Sequence, residues 1–115
     1  MADLDTDQVV ASLLGHERLR VFVRDGRIAT IPARLARRRL LLDTVAQGFE
    51  PGVRYPERVV NTFLRQLYDD HAALRRYLVD EGFLSRDHGE YWRSAGSVDT
   101  GAPAEPPGRA GEGAR

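Results

Sequence analysis

Residues 69–93 join a helix pattern to a hairpin pattern, and this combination constrains the fold of the chain more than any other segment. Leu74 and Leu78 lie one helical turn apart, which predicts a buried helix face with polar residues on the other side. Gly82 predicts the end of that helix, because glycine readily adopts the left-handed conformation of a C-terminal cap. Residues 83–86 and 90–93 then form two short extended runs, and a tight turn at Gly89 lies between them. A helix followed by a hairpin is typical of the end of a winged helix.

Four more helices are predicted before this segment, each from apolar residues at helical spacing. These helices span residues 5–15, 16–24, 33–47 and 56–68, and one short strand is predicted at residues 27–31. Pro32 is expected at the first position of the third helix, where its missing N–H costs nothing, and Pro56 opens the fourth. The residues expected on their buried faces are Leu35, Leu42, Val45 and Ala46 in the third and Val59, Val60, Phe63 and Leu67 in the fourth. A tight turn at Asp69 and Asp70 then leads into the next helix, which is the order of a helix-turn-helix.

The predicted fold class is therefore mainly α with a small antiparallel sheet (α+β), in the form of a winged helix-turn-helix with a β wing. We expect N-terminal helices over residues 1–24, a winged-helix-like domain over 25–93 and a disordered tail over 94–115. The last segment has five Gly and three Pro among 22 residues. Such a composition cannot bury enough apolar surface to offset the entropic cost of ordering the chain.

Three side-chain placements can also be predicted. Val53 and Tyr55 lie in an extended connection and are expected to pair with the wing. Trp92, rather than Tyr91, is expected in the core, because one of two adjacent strand aromatics usually faces inward. Asn61 is expected to form a hydrogen bond to a neighbouring loop rather than to a ligand.

The composition argues against several classes of protein. A chain of 115 residues holds one domain, and without cysteine it has neither disulfides nor thiolate metal sites. No apolar run approaches the roughly 20 residues of a membrane span, so a cytoplasmic protein without membrane contact is expected. The three histidines lack ligand spacing and no nucleophile has a base beside it. We therefore expect no metal, no cofactor and no catalytic residue.

The formal net charge of zero hides an uneven distribution of charge. Residues 18–39 hold eight Arg against one Asp, whereas residues 69–93 hold four Arg against six acids. Several Arg crowd the start of the helix after Pro32, and such groups are the usual source of nonspecific affinity for DNA phosphates. The alternative is that this cluster pairs with acids of the C-terminal half, within the chain or between subunits.

The helix after the tight turn offers a second candidate DNA contact. Arg75 and Arg76 can pair with guanine or phosphate, and the small Ala72 allows close approach to a groove. Asp69 and Asp70 argue against this hypothesis, since they stand at the helix N-terminus, where a phosphate would otherwise bind. The alternative is that Asp70 caps the helix while both Arg form surface ion pairs with neighbouring acids.

Several motifs, in this order, resemble a single bacterial family. They are RDGRIATIPARLARRRLLLD from Arg24 and FEPGVRYPERVVNTFLRQLYDDHAALRRYLVDEGFLSRDHGEYWR from Phe49. Over roughly residues 19–93 the chain resembles domain-of-unknown-function family 2087 in its Asp-Gly turn, its Ile-Pro-Ala before a basic run and its Leu-Arg-Arg before Gly-Phe-Leu. The resemblance implies a winged-helix-like domain, often found in the C-terminal half of arsenic-repressor-type transcriptional regulators. It implies no catalytic residue.

The function that best fits these patterns is bacterial transcriptional regulation by binding double-stranded DNA. The candidate contacts are Arg34, Arg37, Arg38, Arg39, Ala72, Arg75 and Arg76. The competing hypothesis is an interaction or dimerisation module that keeps the fold without DNA contact, and a third is a small-molecule sensor, which would require a pocket. A DNA-binding protein should place both groups of Arg on one continuous face, whereas an interaction module should show them apart or paired with acids. A homodimer through the N-terminal helices is expected if the apolar face of the first helix lacks a partner within the chain.

Overall fold

The computed structural model describes residues 4–94, which form four α-helices and two small antiparallel sheets. In chain order the elements are α1 (Thr6–Leu14), a 3-10 helix (Arg20–Phe22), β1 (Val23–Arg24), β2 (Arg27–Ile28), α2 (Leu35–Ala46), β3 (Tyr55–Pro56), α3 (Glu57–Leu67), α4 (His71–Asp80), β4 (Leu84–Asp87) and β5 (Glu90–Arg93). The predicted α+β class is confirmed. No helix within residues 4–94 combines the length and the hydropathy that crossing a bilayer requires.

The predicted tail lies outside the described residues, apart from its first member. Ser94 donates its backbone N–H to the carbonyl of Phe83 at 3.0 Å, and its hydroxyl lies 2.9 Å from that of Ser85. The hydrogen-bonded chain therefore extends one residue further than the sequence predicted.

Helix α1 begins and ends where its sequence predicts. The Asp5 carboxylate accepts a hydrogen bond from the backbone N–H of Gln8 at 3.2 Å, and Gly15 follows the last helical residue. Val9 and Leu13 are buried in the same core as α2 and α3, so the apolar face of α1 has a partner within the chain. The reason for expecting a homodimer through this face is thereby removed, and the homodimer itself stays a prediction.

The segment between α1 and α2 differs from the predicted helix and strand. Residues 16–24 form turns, a single 3-10 turn and the two-residue strand β1, which pairs antiparallel with an equally short β2. Asp25 and Gly26 both adopt positive φ, at 54° and 75°. This Asp-Gly pair closes a hairpin, and the hairpin limits the helix that apolar spacing alone predicted.

Helix α2 begins later than predicted. Its first residue is Leu35, and Arg34 occupies the N-cap in an extended conformation, so Pro32 lies before the helix rather than at its first position. The residues of α2 that reach the core all lie in its second half: Leu41, Leu42, Val45 and Ala46. Leu35 is 53% exposed, contrary to its predicted place on the buried face, because the first turn of α2 extends beyond the core.

Helices α3 and α4 form the predicted helix, tight turn and helix. Three residues, 68–70, separate them. Asp70 caps α4 by accepting from the N–H of Ala73 at 3.1 Å, as predicted. Pro56 is the N-cap of α3, one position before the first helical residue. The buried face of α3 includes Leu64, which the predicted stripe omitted, while Val59 is half-buried.

The predicted wing forms a three-stranded sheet in the order β3, β5, β4. His88 and Gly89, at φ 50° and 78°, make the two-residue turn between β4 and β5. Tyr55 pairs with Tyr91, which confirms its predicted contact with the wing, whereas Val53 lies outside the strand. Adjacent strand residues face opposite sides, and it is Tyr91 that is buried and Trp92 that is half-buried. The prediction for Trp92 was wrong.

Gly82 ends α4 with two paired backbone hydrogen bonds. The N–H of Gly82 donates to the carbonyl of Val79 at 3.1 Å, and the N–H of Phe83 donates to the carbonyl of Leu78 at 2.8 Å. Gly82 itself has a φ of 85°.

We expect Gly82→Ala to lower the free energy of unfolding by about 1–2 kcal/mol, because a Cβ is strained in this left-handed conformation. Urea denaturation would measure the loss. Gly15→Ala is the control, since Gly15 has an ordinary helical φ of −77° and should lose less than about 0.5 kcal/mol.

Candidate nucleic-acid-binding surfaces

The Arg cluster at the start of α2 is largely engaged within the molecule. Arg34 is exposed, and no ion pair with an acid is seen for it among residues 4–94. The guanidinium of Arg37 lies over the ring of Phe22, 6.0 Å from its centroid, and is half-buried there. Arg34 thus faces solvent while Arg37 holds the 3-10 segment against α2.

Glu81 binds the next two members of this cluster. Its carboxylate lies 2.8 Å from Nη1 of Arg39 and 3.6 Å from Nη2 of Arg38. The same Arg39 nitrogen also donates to the backbone carbonyl of Glu81 at 3.2 Å. Both guanidinium groups cover aromatic rings, Arg38 that of Tyr77 at 5.2 Å and Arg39 that of Phe83 at 4.9 Å. These two arginines therefore join α2 to the end of α4.

The α4 candidates line a different feature, a cleft between α4 and the hairpin. Ala72, Arg75 and Arg76 meet Arg86 of β4 around a cleft of about 110 Å³ that also has Val79, Asp80 and Tyr91 in its walls. Arg76 and Arg86 are exposed, whereas Arg75 is half-buried and donates to the side-chain oxygen of Asn61 on α3. Asn61 thus bonds α4 and not a loop, contrary to prediction. We call this feature the α4–β4 cleft; its walls carry three positive charges and one negative charge.

The two Arg groups lie on different sides of α4. At about 100° of rotation per residue, Tyr77 and Glu81 stand roughly 140–180° around the helix from Ala72. The arginines at the start of α2, which we call the α2 cluster, contact Tyr77 and Glu81, whereas Ala72 lines the α4–β4 cleft. The candidate residues therefore form two surfaces rather than one continuous basic face.

The acids at the start of α4 are both occupied. Asp69 forms an ion pair with Arg27 at 2.8 Å, and Arg27 also donates to the carbonyl of Arg65 at 2.6 Å. One carboxylate oxygen of Asp70 accepts the hydrogen bond that caps α4. Arg27 thus ties the β1–β2 hairpin to the turn between α3 and α4 and partly neutralises the charge that would repel a phosphate.

Tyr91 forms the inner wall of the α4–β4 cleft. Its hydroxyl donates to the Glu57 carboxylate at 3.1 Å, and Arg86 lies over its ring at 5.6 Å. Burial raises the pKa of the Tyr91 hydroxyl, the hydrogen bond to Glu57 adds to the rise, and the charges of Arg75 and Arg86 oppose it. The hydroxyl therefore stays protonated at neutral pH and donates its hydrogen bond to Glu57 of α3.

Two residues of these surfaces were not among the sequence-based candidates: Glu81 and Arg86. Arg86 had a detectable signal, since an exposed cation on the first wing strand faces the helix that precedes it. Glu81 acts through Arg39, which lies 42 residues away in the chain, and nothing in residue spacing connects the two.

Comparison with known proteins identifies a family but no characterised relative. The chain matches no curated protein and no solved structure significantly. Residues 27–93 match the family model described as "Uncharacterized protein conserved in bacteria (DUF2087)". The match spans the segment from β2 to β5, including both candidate surfaces apart from the 3-10 turn, and covers more than half of the 115 residues. The chain therefore belongs to the DUF2087 family of uncharacterised bacterial proteins.

Proposed function

We propose that residues 35–93 form a winged helix. The support is topological: α2, β3, α3, α4 and the β4–β5 hairpin follow one another, and the strand before α3 pairs with the last strand of the hairpin. A helix-turn-helix whose second helix runs into an antiparallel wing shows this arrangement. In this assignment α4 is the recognition helix and the His88-Gly89 turn is the tip of the wing.

The function we propose for this domain is binding of double-stranded DNA, with the α4–β4 cleft as the principal contact. The observation that supports it is the convergence of Arg75, Arg76 and Arg86 from the recognition helix and the wing. Guanidinium groups bind phosphate through paired hydrogen bonds, and Ala72 leaves room for close approach. In the arsenic-repressor-type regulators that the family resemblance suggests, such a domain would act on the bacterial chromosome, and hence in the cytoplasm.

The salt dependence of duplex binding tests this function. Three phosphate contacts correspond to a slope of about −2.7 in log K against log salt, so affinity should fall roughly fortyfold between about 50 and 200 mM salt. Fluorescence anisotropy of a labelled random duplex measures it. In Arg76→Gln/Arg86→Gln one contact remains, and the fall should shrink to roughly fourfold.

The matched control is Arg18→Gln/Arg20→Gln, which removes the same net charge from exposed positions outside the cleft. We expect this pair to leave the salt slope unchanged. Equal slopes in wild type and the cleft variant would exclude the cleft as the DNA contact. Absence of binding by the wild type at the lower salt concentration would reject DNA binding altogether.

A second candidate function is protein–protein interaction, and the Glu81 contacts favour it. Arg38 and Arg39 pair with an acid, and the two Arg groups are separated around α4, as an interaction module would show. In this hypothesis the α2 cluster stabilises the fold and the remaining surface binds another protein. Failure of DNA binding at low salt, together with retained folding, would favour this alternative.

A further inference from the structure

A groove of about 470 Å³ lies between the start of the described chain and the outer face of α3. It is lined by Leu4, Arg58, Val59, Thr62, Phe63 and Gln66. None of these residues belongs to the α4–β4 cleft or to the α2 cluster. A volume of this size falls in the range of sites that bind small molecules.

The spacing of the α3 residues gives this groove a polar edge and an apolar floor. Arg58, Thr62 and Gln66 recur every four residues and form one stripe, about 12 Å long at 1.5 Å per residue. Val59 and Phe63 form the neighbouring stripe, with Leu4 adding a third apolar side chain to the lining. The groove therefore suits an elongated molecule with a polar end and an apolar body.

Hydrogen bonding indicates the chemistry of that polar end. Arg58 is exposed, and among residues 4–94 its guanidinium has no ion pair or hydrogen bond, while the lining contains no acid. The Thr62 hydroxyl donates to the carbonyl of Arg58 at 3.0 Å, and the Gln66 side-chain oxygen accepts from Thr6. The hydrogen-bond donors of the groove that remain are the Arg58 guanidinium and the Gln66 amide, and no acid in the lining accepts from them. The polar end of the groove therefore suits an anionic group.

We propose that this groove binds a medium-chain carboxylic acid, with the carboxylate on Arg58 and the hydrocarbon chain over Val59, Phe63 and Leu4. A carboxylate pairs with guanidinium through charge-assisted hydrogen bonds, and the chain buries against the three apolar side chains. This site shares no residue with the α4–β4 cleft, so the proposal does not rest on DNA binding, and it would give the domain a small-molecule ligand.

Titration of the full chain with octanoate, followed by amide NMR shifts, tests the proposal. We expect saturable shifts centred on residues 58–66 at millimolar concentrations. Arg58→Gln should weaken octanoate binding about tenfold, the loss of one charge-assisted contact. Octanol, which keeps the chain and lacks the charge, should bind wild type and Arg58→Gln equally.

Arg65→Gln is the matched control, since Arg65 is an exposed arginine of the same helix that does not line the groove. It should bind octanoate as the wild type does. Equal octanoate affinity in the Arg58 and Arg65 variants, or shifts elsewhere in the chain, would overturn the proposal. Shifts of the same amides with protein concentration alone would show that a second copy occupies the groove, and would equally reject it.

Discussion

Phe49→Ala is expected to destabilise the domain by roughly 3–5 kcal/mol, the cost of truncating a buried aromatic residue. Phe49 is fully buried and packs edge-to-face against two rings, Tyr55 at 5.3 Å and Phe63 at 5.4 Å between centroids. Removing it leaves a cavity where the chain passes from α2 to β3 and α3. Because small domains are stable by only about 5–15 kcal/mol, urea denaturation should show a large shift in the midpoint.

The control for this prediction is Val21→Ala at a position that is 74% exposed, where the change should stay within about 0.5 kcal/mol. If Phe49→Ala does not fold, Phe49→Leu keeps part of the apolar volume and should show a smaller loss in the same direction. A loss below about 1 kcal/mol in Phe49→Ala would contradict the packing role assigned to this ring.

The sequence predicted those elements whose cause is local. Helical spacing, caps and glycine stops depend on residues a few positions apart, and α1, α3, α4 and the wing hairpin formed close to where these signals placed them. The Asp-Gly turn at residues 25–26 is also local, yet its consequence was missed. It closes a hairpin with the residues before it, and that pairing competes with the helix that their apolar spacing indicates.

Placement in the core depends on neighbours distant in the chain, and here prediction was less successful. Leu35 has the right spacing for the buried face of α2 but lies beyond the elements that pack against it. Tyr91 and Trp92 are equivalent by pattern. Because β5 pairs with both β3 and β4, the side chain of Tyr91 faces the core. Trp92 is half-buried, and the guanidinium of Arg54 lies 4.0 Å from its ring centroid.

For the candidate surfaces, the sequence identified the arginines but not their partners. It offered pairing with C-terminal acids as one alternative for the α2 cluster, and Glu81 is such an acid for two of its four members. For Arg75 it offered DNA contact or a surface ion pair with a neighbouring acid, whereas Asn61 of α3 accepts a hydrogen bond from it. Long side chains choose among several possible partners, and only the fold decides which one lies within reach.

Glu81 connects stability with the proposed function, and Glu81→Gln is expected to change both. Glu81 caps α4 at its C-terminus, where a negative charge is unfavourable to the helix dipole, and the two arginines offset that charge. The carboxylate and the Arg38 side chain are only 20% and 18% exposed, so the pair is partly shielded from water. Loss of these charge-assisted contacts should cost roughly 1–3 kcal/mol in urea denaturation.

The same substitution leaves Arg38 and Arg39 without a compensating charge, on the side of α4 away from the α4–β4 cleft, where they form a second basic surface available to a duplex. We then expect tighter duplex binding and a salt slope steeper by up to about 2, measured by anisotropy as for the cleft variant. Glu17→Gln changes the net charge equally at an exposed position outside these ion pairs, and should alter neither quantity. Lower stability without any gain in duplex binding would mean that Glu81 serves the fold alone and that the duplex does not contact the α2 side of α4.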